Sequence, residues 1–93
     1  MITSFSHKGL KELFSEGKTT RLPQERLDKI KKVLAVIDAA ERLEDLNIPA
    51  FRLHKLKKAP FKGFHSLDIS GNYRVIFNFK DGKASDINYL DTH

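Results

Sequence analysis

Tyr73, Val75, Phe77 and Phe79 alternate with Arg74, Ile76 and Asn78, and the dipeptide Asp81-Gly82 follows directly. Strict alternation of this kind marks a strand with one buried face. Asp-Gly suits a two-residue turn whose central residues both take positive φ, the turn whose twist matches a hairpin. Residues 84–90 supply the returning strand. Upstream, His65, Leu67 and Ile69 alternate with Phe64, Ser66 and Asp68, and Ser70-Gly71-Asn72 reads as the turn between that strand and Tyr73. The C-terminal half is thus expected to be an antiparallel sheet in which every side chain is assigned to one face or the other.

The N-terminal half has a different period. Ile2-Thr3-Ser4-Phe5 alternates and predicts a short strand, and Ser6 stands where an N-cap belongs, ahead of Leu10, Leu13 and Phe14 at helical spacing. Gly17 is placed to end that helix. A second helix is expected near Pro23, with Leu27, Ile30, Val33, Leu34 and Ile37 as its apolar stripe and Lys29, Lys31 and Lys32 on the other side. A short extra turn over residues 43–46 precedes Asn47-Ile48-Pro49, where the helical half ends. Phe51-Arg52-Leu53 reads as the start of the next strand. The whole, residues 1–93, is expected to form one α+β domain: a mostly antiparallel sheet of four to five strands with two N-terminal helices packed on one face.

Charge is distributed unevenly over this frame. The chain carries 17 Lys+Arg against 12 Asp+Glu, a net charge of +5. No acidic residue lies between Asp45 and Asp68, while Arg52, Lys55, Lys57, Lys58 and Lys62 do, among His54, His65 and three phenylalanines. Such a run sets up a local positive field suited to a polyanion, with phosphate the obvious target; a solvated lysine loop is the plainer alternative. The chain has no cysteine, which excludes disulfides and thiolate metal sites. The N-terminus has neither a signal-peptide apolar run nor a transit-peptide pattern, and no segment is apolar enough to span a membrane. A cytoplasmic protein with no membrane association is expected.

Within the basic run, His54 and Lys57 carry the most chemistry. A histidine among lysines is a candidate proton acceptor, since like charge favours the neutral ring, and the lysines can neutralise charge developing on a phosphate. A lone loop histidine is more often inert. The spacing of these residues fits no metal-ligand pattern, and neither metal nor cofactor is expected. Alternation sets Arg74 on the face opposite Tyr73, Val75, Phe77 and Phe79, where its planar fork of donors would match two phosphate oxygens. Pairing with Asp68 or Asp86 across the sheet is the commoner role for such an arginine. Asp91 and His93 close the chain as acid/base candidates, and His7 looks incidental.

These residues carry a resemblance. Arg52-Leu53-His54-x-Leu56-Lys57, then Phe64-x-Ser66-Leu67, then Gly71-Asn72-Tyr73-Arg74-Val75-x-Phe77-x-Phe79, and finally Asn88-Tyr89-x-Asp91-x-His93 together resemble the HigB branch of the RelE/ParE toxin superfamily. Ile2-x-Ser4-Phe5-x-His7-Lys8-Gly9-Leu10 and Ile37-Asp38-Ala39-Ala40 resemble it too. The resemblance implies a ribosome-dependent mRNA endonuclease of a type II toxin–antitoxin pair, with the site on the concave face of the sheet. His54, Lys57, Arg74, Asp91 and His93 fall on that family's catalytic or RNA-handling positions and form the expected catalytic set; Arg52, Lys55, Lys58, Lys62 and Tyr73 are expected to bind RNA, Lys55 and Lys62 through the long-range field only. The resemblance implies as partners a helix-turn-helix, HigA-like antitoxin, the 70S ribosome and mRNA, with operator DNA reached only through the antitoxin. The expected chemistry is attack of a ribose 2′-OH on the adjacent phosphate, with Arg74 and Lys57 stabilising charge and His54 with Asp91 or His93 moving protons. Thr92 departs from the family's frequent Tyr at that place, which removes a stacking surface. Two alternatives remain at this point: a ParE-like toxin directed at gyrase, and a non-catalytic RNA- or ribosome-binding module.

Overall fold

The central hairpin forms as its sequence dictates. In the computed structural model, described over residues 1–91, β3 (Tyr73–Lys80) and β4 (Lys83–Asp91) pair antiparallel. Asp81 and Gly82 between them sit at φ 53° and 77°, both left-handed, as a type I′ turn requires. The strand β2 (His65–Ser70) pairs antiparallel with β3, and the two-residue β1 (His54–Lys55) pairs antiparallel with β2. The sheet therefore has four strands in the order β1-β2-β3-β4.

The expected first strand is only an extended segment. Ile2 and Phe5 make isolated parallel bridges to Ala84 and Ile87, and Thr3 N–H donates to the Ala84 carbonyl at 2.8 Å. This segment lies along the outer edge of β4. There β4 holds one extra residue: Ile76 pairs with Asn88 but Asn78 with Ser85, and Asp86 turns left-handed at φ 54°. The bulge is tied down on both sides, because Asp86 N–H donates to Ser4 Oγ at 2.9 Å and Asn78 Nδ2 donates to Asp86 Oδ2 at 3.0 Å.

Two helices cover one face of the sheet. The first, α1 (Lys8–Glu16), begins one residue later than the serine predicts. Ser6 N–H and His7 N–H both donate to the Ile87 carbonyl, at 2.8 and 3.2 Å, so Ser6 belongs to the sheet edge. His7 is the cap instead, its Nδ1 accepting from Leu10 N–H at 3.2 Å, and is not incidental. Gly17 ends the helix at φ 72°. Pro23 leads into a 3₁₀ turn at Gln24–Arg26, and α2 (Leu27–Ala39) follows. Leu10, Leu13, Ile30, Val33, Leu34 and Ile37 from the helices meet Leu67, Ile69, Val75, Phe77, Ala84 and Ile87 from the sheet in one buried cluster.

Between helix and sheet the chain makes two more 3₁₀ turns, at Leu43–Leu46 and Pro49–Phe51. The second replaces the expected strand start at Phe51-Arg52-Leu53. Phe51 is buried in the core, and Arg52 takes a left-handed conformation at φ 52° that re-aims the chain, so pairing begins only at His54.

Two outcomes are expected. Gly82→Ala forces a Cβ into the left-handed region and to 3.2 Å from the Glu41 carbonyl oxygen. It should lower stability by about 1–2 kcal/mol in urea unfolding. Burial holds the His7 and His65 imidazoles below 6.5, with the Lys55 charge adding to the effect at His65. Below pH 6.5 the unfolded chain then binds more protons than the folded one. Stability should be fully present above that pH and fall as the pH drops below it. His7→Asn, which keeps a cap acceptor, should reduce that dependence in urea midpoints compared at pH 7.5 and 5.5.

Candidate nucleic-acid interface

On the face away from the helices, strand register sets two rows of side chains. His54, Ser66, Ile76 and Asn88 are successive cross-strand neighbours, and beside them run Asp68, Arg74 and Leu90. Ser66 and Ile76 are fully buried here, although they lie outside the helix-side cluster, and they form a floor beneath the polar groups.

Arg74 and His54 are joined on this floor. Arg74 Nη1 lies 2.8 Å from His54 Nε2, and His54 Nδ1 lies 2.9 Å from the Arg52 carbonyl oxygen. A guanidinium only donates, so Nε2 must accept; the ring proton is then on Nδ1, where it donates to Arg52. The left-handed turn at Arg52 is what directs that carbonyl at the ring. The imidazole is thus held in one tautomer with its basic nitrogen facing a cation. Any acceptor that draws Arg74 away leaves Nε2 open to take a proton.

Asp68 stands directly opposite Arg74 in register. Its Oδ1 is 3.7 Å from Arg74 Nε and its Oδ2 is 3.6 Å from Arg52 Nε. The Arg74 pair is shielded from solvent at both atoms yet too long for a hydrogen bond. Of the two carboxylates considered for Arg74, Asp68 is the one beside it, while Asp86 is taken by Asn78. Pairing through Nε leaves the Nη atoms of Arg74 directed at His54 and the open face, so the ion pair and a ligand role are compatible.

The lysines ring one side. Residues 56–64 form a loop closed by Leu56 N–H to the Phe64 carbonyl at 2.8 Å and Gly63 N–H to the Leu56 carbonyl at 2.9 Å. Lys57, Lys58 and Lys62 are exposed on it, with no hydrogen bond or ion pair to any described residue. Two hollows meet at His54. One, of about 430 Å³, is lined by Arg52, Leu53, His54, Asp68, Gly71 and Arg74. The other, of about 390 Å³, is lined by exposed Lys55, Lys57, Lys58 and Ala59 and by half-buried Leu56, Phe61 and Leu90. Lys62 lines neither.

Two expected members are placed elsewhere. Tyr73 leaves the sheet on the helix side, stacked on Tyr89 at 5.6 Å with the Arg26 guanidinium 4.1 Å from its ring centre. Asp91 is in register with Tyr73, so Leu90 is the residue beside Arg74. Counted evenly from the Asp81-Gly82 turn, Tyr89 would oppose Arg74 and Asp91 would share its side; the extra residue at Asp86 reverses this. His93 lies outside the described residues. Sequence reasoning gave no site role to Asp68 or Leu90. Asp68 was weighed only as a cross-strand partner of Arg74, and nothing in the sequence announces the bulge that brings in Leu90.

No group of three His, Cys, Asp or Glu among the described residues is arranged to hold a metal ion, and none of the helices is long and apolar enough to cross a membrane. The site is cationic and suited to gripping phosphate.

Comparison with known proteins gives the family. The family model for the RelE-like toxin of the type II toxin–antitoxin system HigB matches residues 3–93. Endoribonuclease HigB of Proteus vulgaris is 41% identical over 93 residues, covering 100% of both chains. Toxin HigB-1 of Vibrio cholerae is 32% identical over 94 residues, covering 100% of this chain and 98% of its own. A chain of the YoeB-YefM complex from Staphylococcus aureus shares the fold at 22% identity and a TM-score of 0.57, covering 97% of this chain and 95% of that one. With two full-length relatives and a family match across the sheet and its cationic face, the chain belongs to the HigB-like family of RelE-like toxins from type II toxin–antitoxin systems.

Proposed function

We propose that the protein is a cytoplasmic endoribonuclease that arrests translation by cutting mRNA on the ribosome, and that residues 1–93 act as one toxin domain held inactive by a helix-turn-helix, HigA-like antitoxin. The observation that carries the reading is the Arg74–His54 contact at 2.8 Å on the open face, beside lysines that no described residue pairs. The name of the 41% identical relative, an endoribonuclease, supports the activity. Operator DNA would be reached only through the antitoxin.

The contact of Arg74 with His54 supports the following reaction. A phosphate entering beside Arg74 accepts hydrogen bonds from its Nη groups, and His54 Nε2 is released. The ribose 2′-oxygen attacks the adjacent phosphorus as His54 takes its proton. The P–O5′ bond breaks, and a 2′,3′-cyclic phosphate and a 5′-hydroxyl end form. Lys57 and Arg74 stabilise the extra negative charge on the phosphorane. The proton for the departing 5′-oxygen is assigned to His93, since Asp91, in register with Tyr73, stands on the other face of the sheet. Arg52, Lys55, Lys58 and Lys62 supply the field that gathers the RNA, and the ribosome contributes by fixing the strand for in-line attack. Tyr73 supports the tail through its stack with Tyr89 and does not meet RNA.

Brief induction in a bacterium, with mRNA 5′ ends mapped and DNA integrity followed, tests the reading. In-frame cuts should appear with the parent protein and vanish with Arg74→Ala. His54→Ala should lower cleavage by roughly 10²–10⁴-fold, since the ring is exposed and its loss spares the core. DNA breaks without mRNA cuts would replace the nuclease reading with a gyrase-directed one. Growth arrest with neither would leave a module that only binds.

A further inference from the structure

The two hollows that meet at His54 differ in chemistry, and only one of them is explained by a phosphate. The hollow of Arg52, Asp68 and Arg74 is polar and charged. The other has half-buried Leu56, Phe61 and Leu90 as an apolar floor, exposed Lys55, Lys57 and Lys58 at its rim, and no carboxylate among its lining residues. Catalysis as described uses the rim and leaves the floor without a task.

The floor is built by two features that serve nothing else described so far. The bulge at Asp86 sets Leu90 beside Arg74, so apolar surface begins next to the guanidinium. The closed loop of residues 56–64 holds Phe61 half-buried, its ring 5.4 Å from Phe64 at an interplanar angle of 68°. A phosphate gripped by Arg74 and Lys57 belongs to a nucleotide whose base lies a ribose away. The surface within that reach is apolar and aromatic, and cations border it to hold the flanking backbone. Bases stack or pack on such surfaces through their π-faces, while phosphates favour the rim.

We propose that this hollow is a nucleobase site, which receives an unstacked base next to the cleaved phosphate, with Phe61 and Leu90 as its principal contacts. The proposal rests on the RNA reading above and adds to it which part of the protein touches a base. Phe61 and Leu90 are thereby binding residues that no proton-transfer argument selects.

The test uses the whole purified chain, labelled for amide NMR, and two uncleavable probes: a 2′-deoxy tetranucleotide and the same sugar–phosphate chain with abasic residues. The base-bearing tetramer should bind the parent roughly ten- to a hundredfold more tightly than the abasic one. It alone should shift the amides of residues 56–59, 61 and 90. Phe61→Leu, which keeps an apolar side chain in place of the ring, should erase most of that preference while leaving affinity for the abasic chain unchanged. Equal binding of the two probes by the parent overturns the proposal, as does an unchanged preference in a folded Phe61→Leu protein; either outcome assigns the hollow to an apolar side chain of a protein partner instead. An Arg74→Ala protein that binds the abasic chain as the parent does overturns the phosphate reading beneath it, and absence of binding by either probe at millimolar concentration overturns both.

Discussion

The register of β3 decides what each half of the molecule can be. Val75 and Phe77 point into the helix-side core, and Arg74 and Ile76 point the other way, from the same backbone with its hydrogen bonds shared between β2 and β4. A slip of one residue would bury the guanidinium under the helices and expose Phe77. Burial of Val75 and Phe77 at 0% exposure therefore holds Arg74 in place. The turn at Asp81-Gly82 fixes that register on one side, and the bulge at Asp86 resets it partway along β4. Core and site are thus specified by one constraint.

Electrostatics then finish what packing begins. In a field dominated by lysine, the lone carboxylate of the two hollows, Asp68, sits where it draws two arginines at once. It holds Arg74 from the Nε side and leaves the donor fork outward. The chain of contacts from Asp68 through Arg74 and His54 to the Arg52 carbonyl links β1, β2, β3 and the turn before β1. At side-chain exposures of 21% and 28%, Asp68 and Arg74 are screened less than the surface lysines, so their mutual orientation is better defined than that of the rim.

Legibility in the sequence followed the range of the determining interaction. The β3–β4 hairpin, the turn at residues 70–72 and the stripe of α2 rest on neighbours in the chain, and their residues announced them. The helix start moved from Ser6 to His7 because Ile87, far away in sequence, claims the Ser6 N–H. The strand expected at Phe51-Arg52-Leu53 gave way to burial of Phe51 and a left-handed Arg52. His54 and Lys57 were singled out as residue types in a charged run and Arg74 by strand alternation, and the structure brings His54 and Arg74 into contact. Asp91 was placed on the sheet's other side by a bulge that depends on Ser4 and Asn78, which no local pattern reports, whereas the side of Tyr73 follows from the alternation of β3.

The extended segment at Ile2 to Phe5 bears on how the sheet meets other sheets. A four-stranded antiparallel sheet would ordinarily offer two edges of unpaired backbone to another molecule. Here one edge is covered by the chain's own first residues, with the Met1 amino group bonded to the Gly82 carbonyl at 3.0 Å. The other is only two residues long and carries Lys55. The protein is thereby denied a long edge on which to stack with its own copies, the usual route from a small sheet to an aggregate.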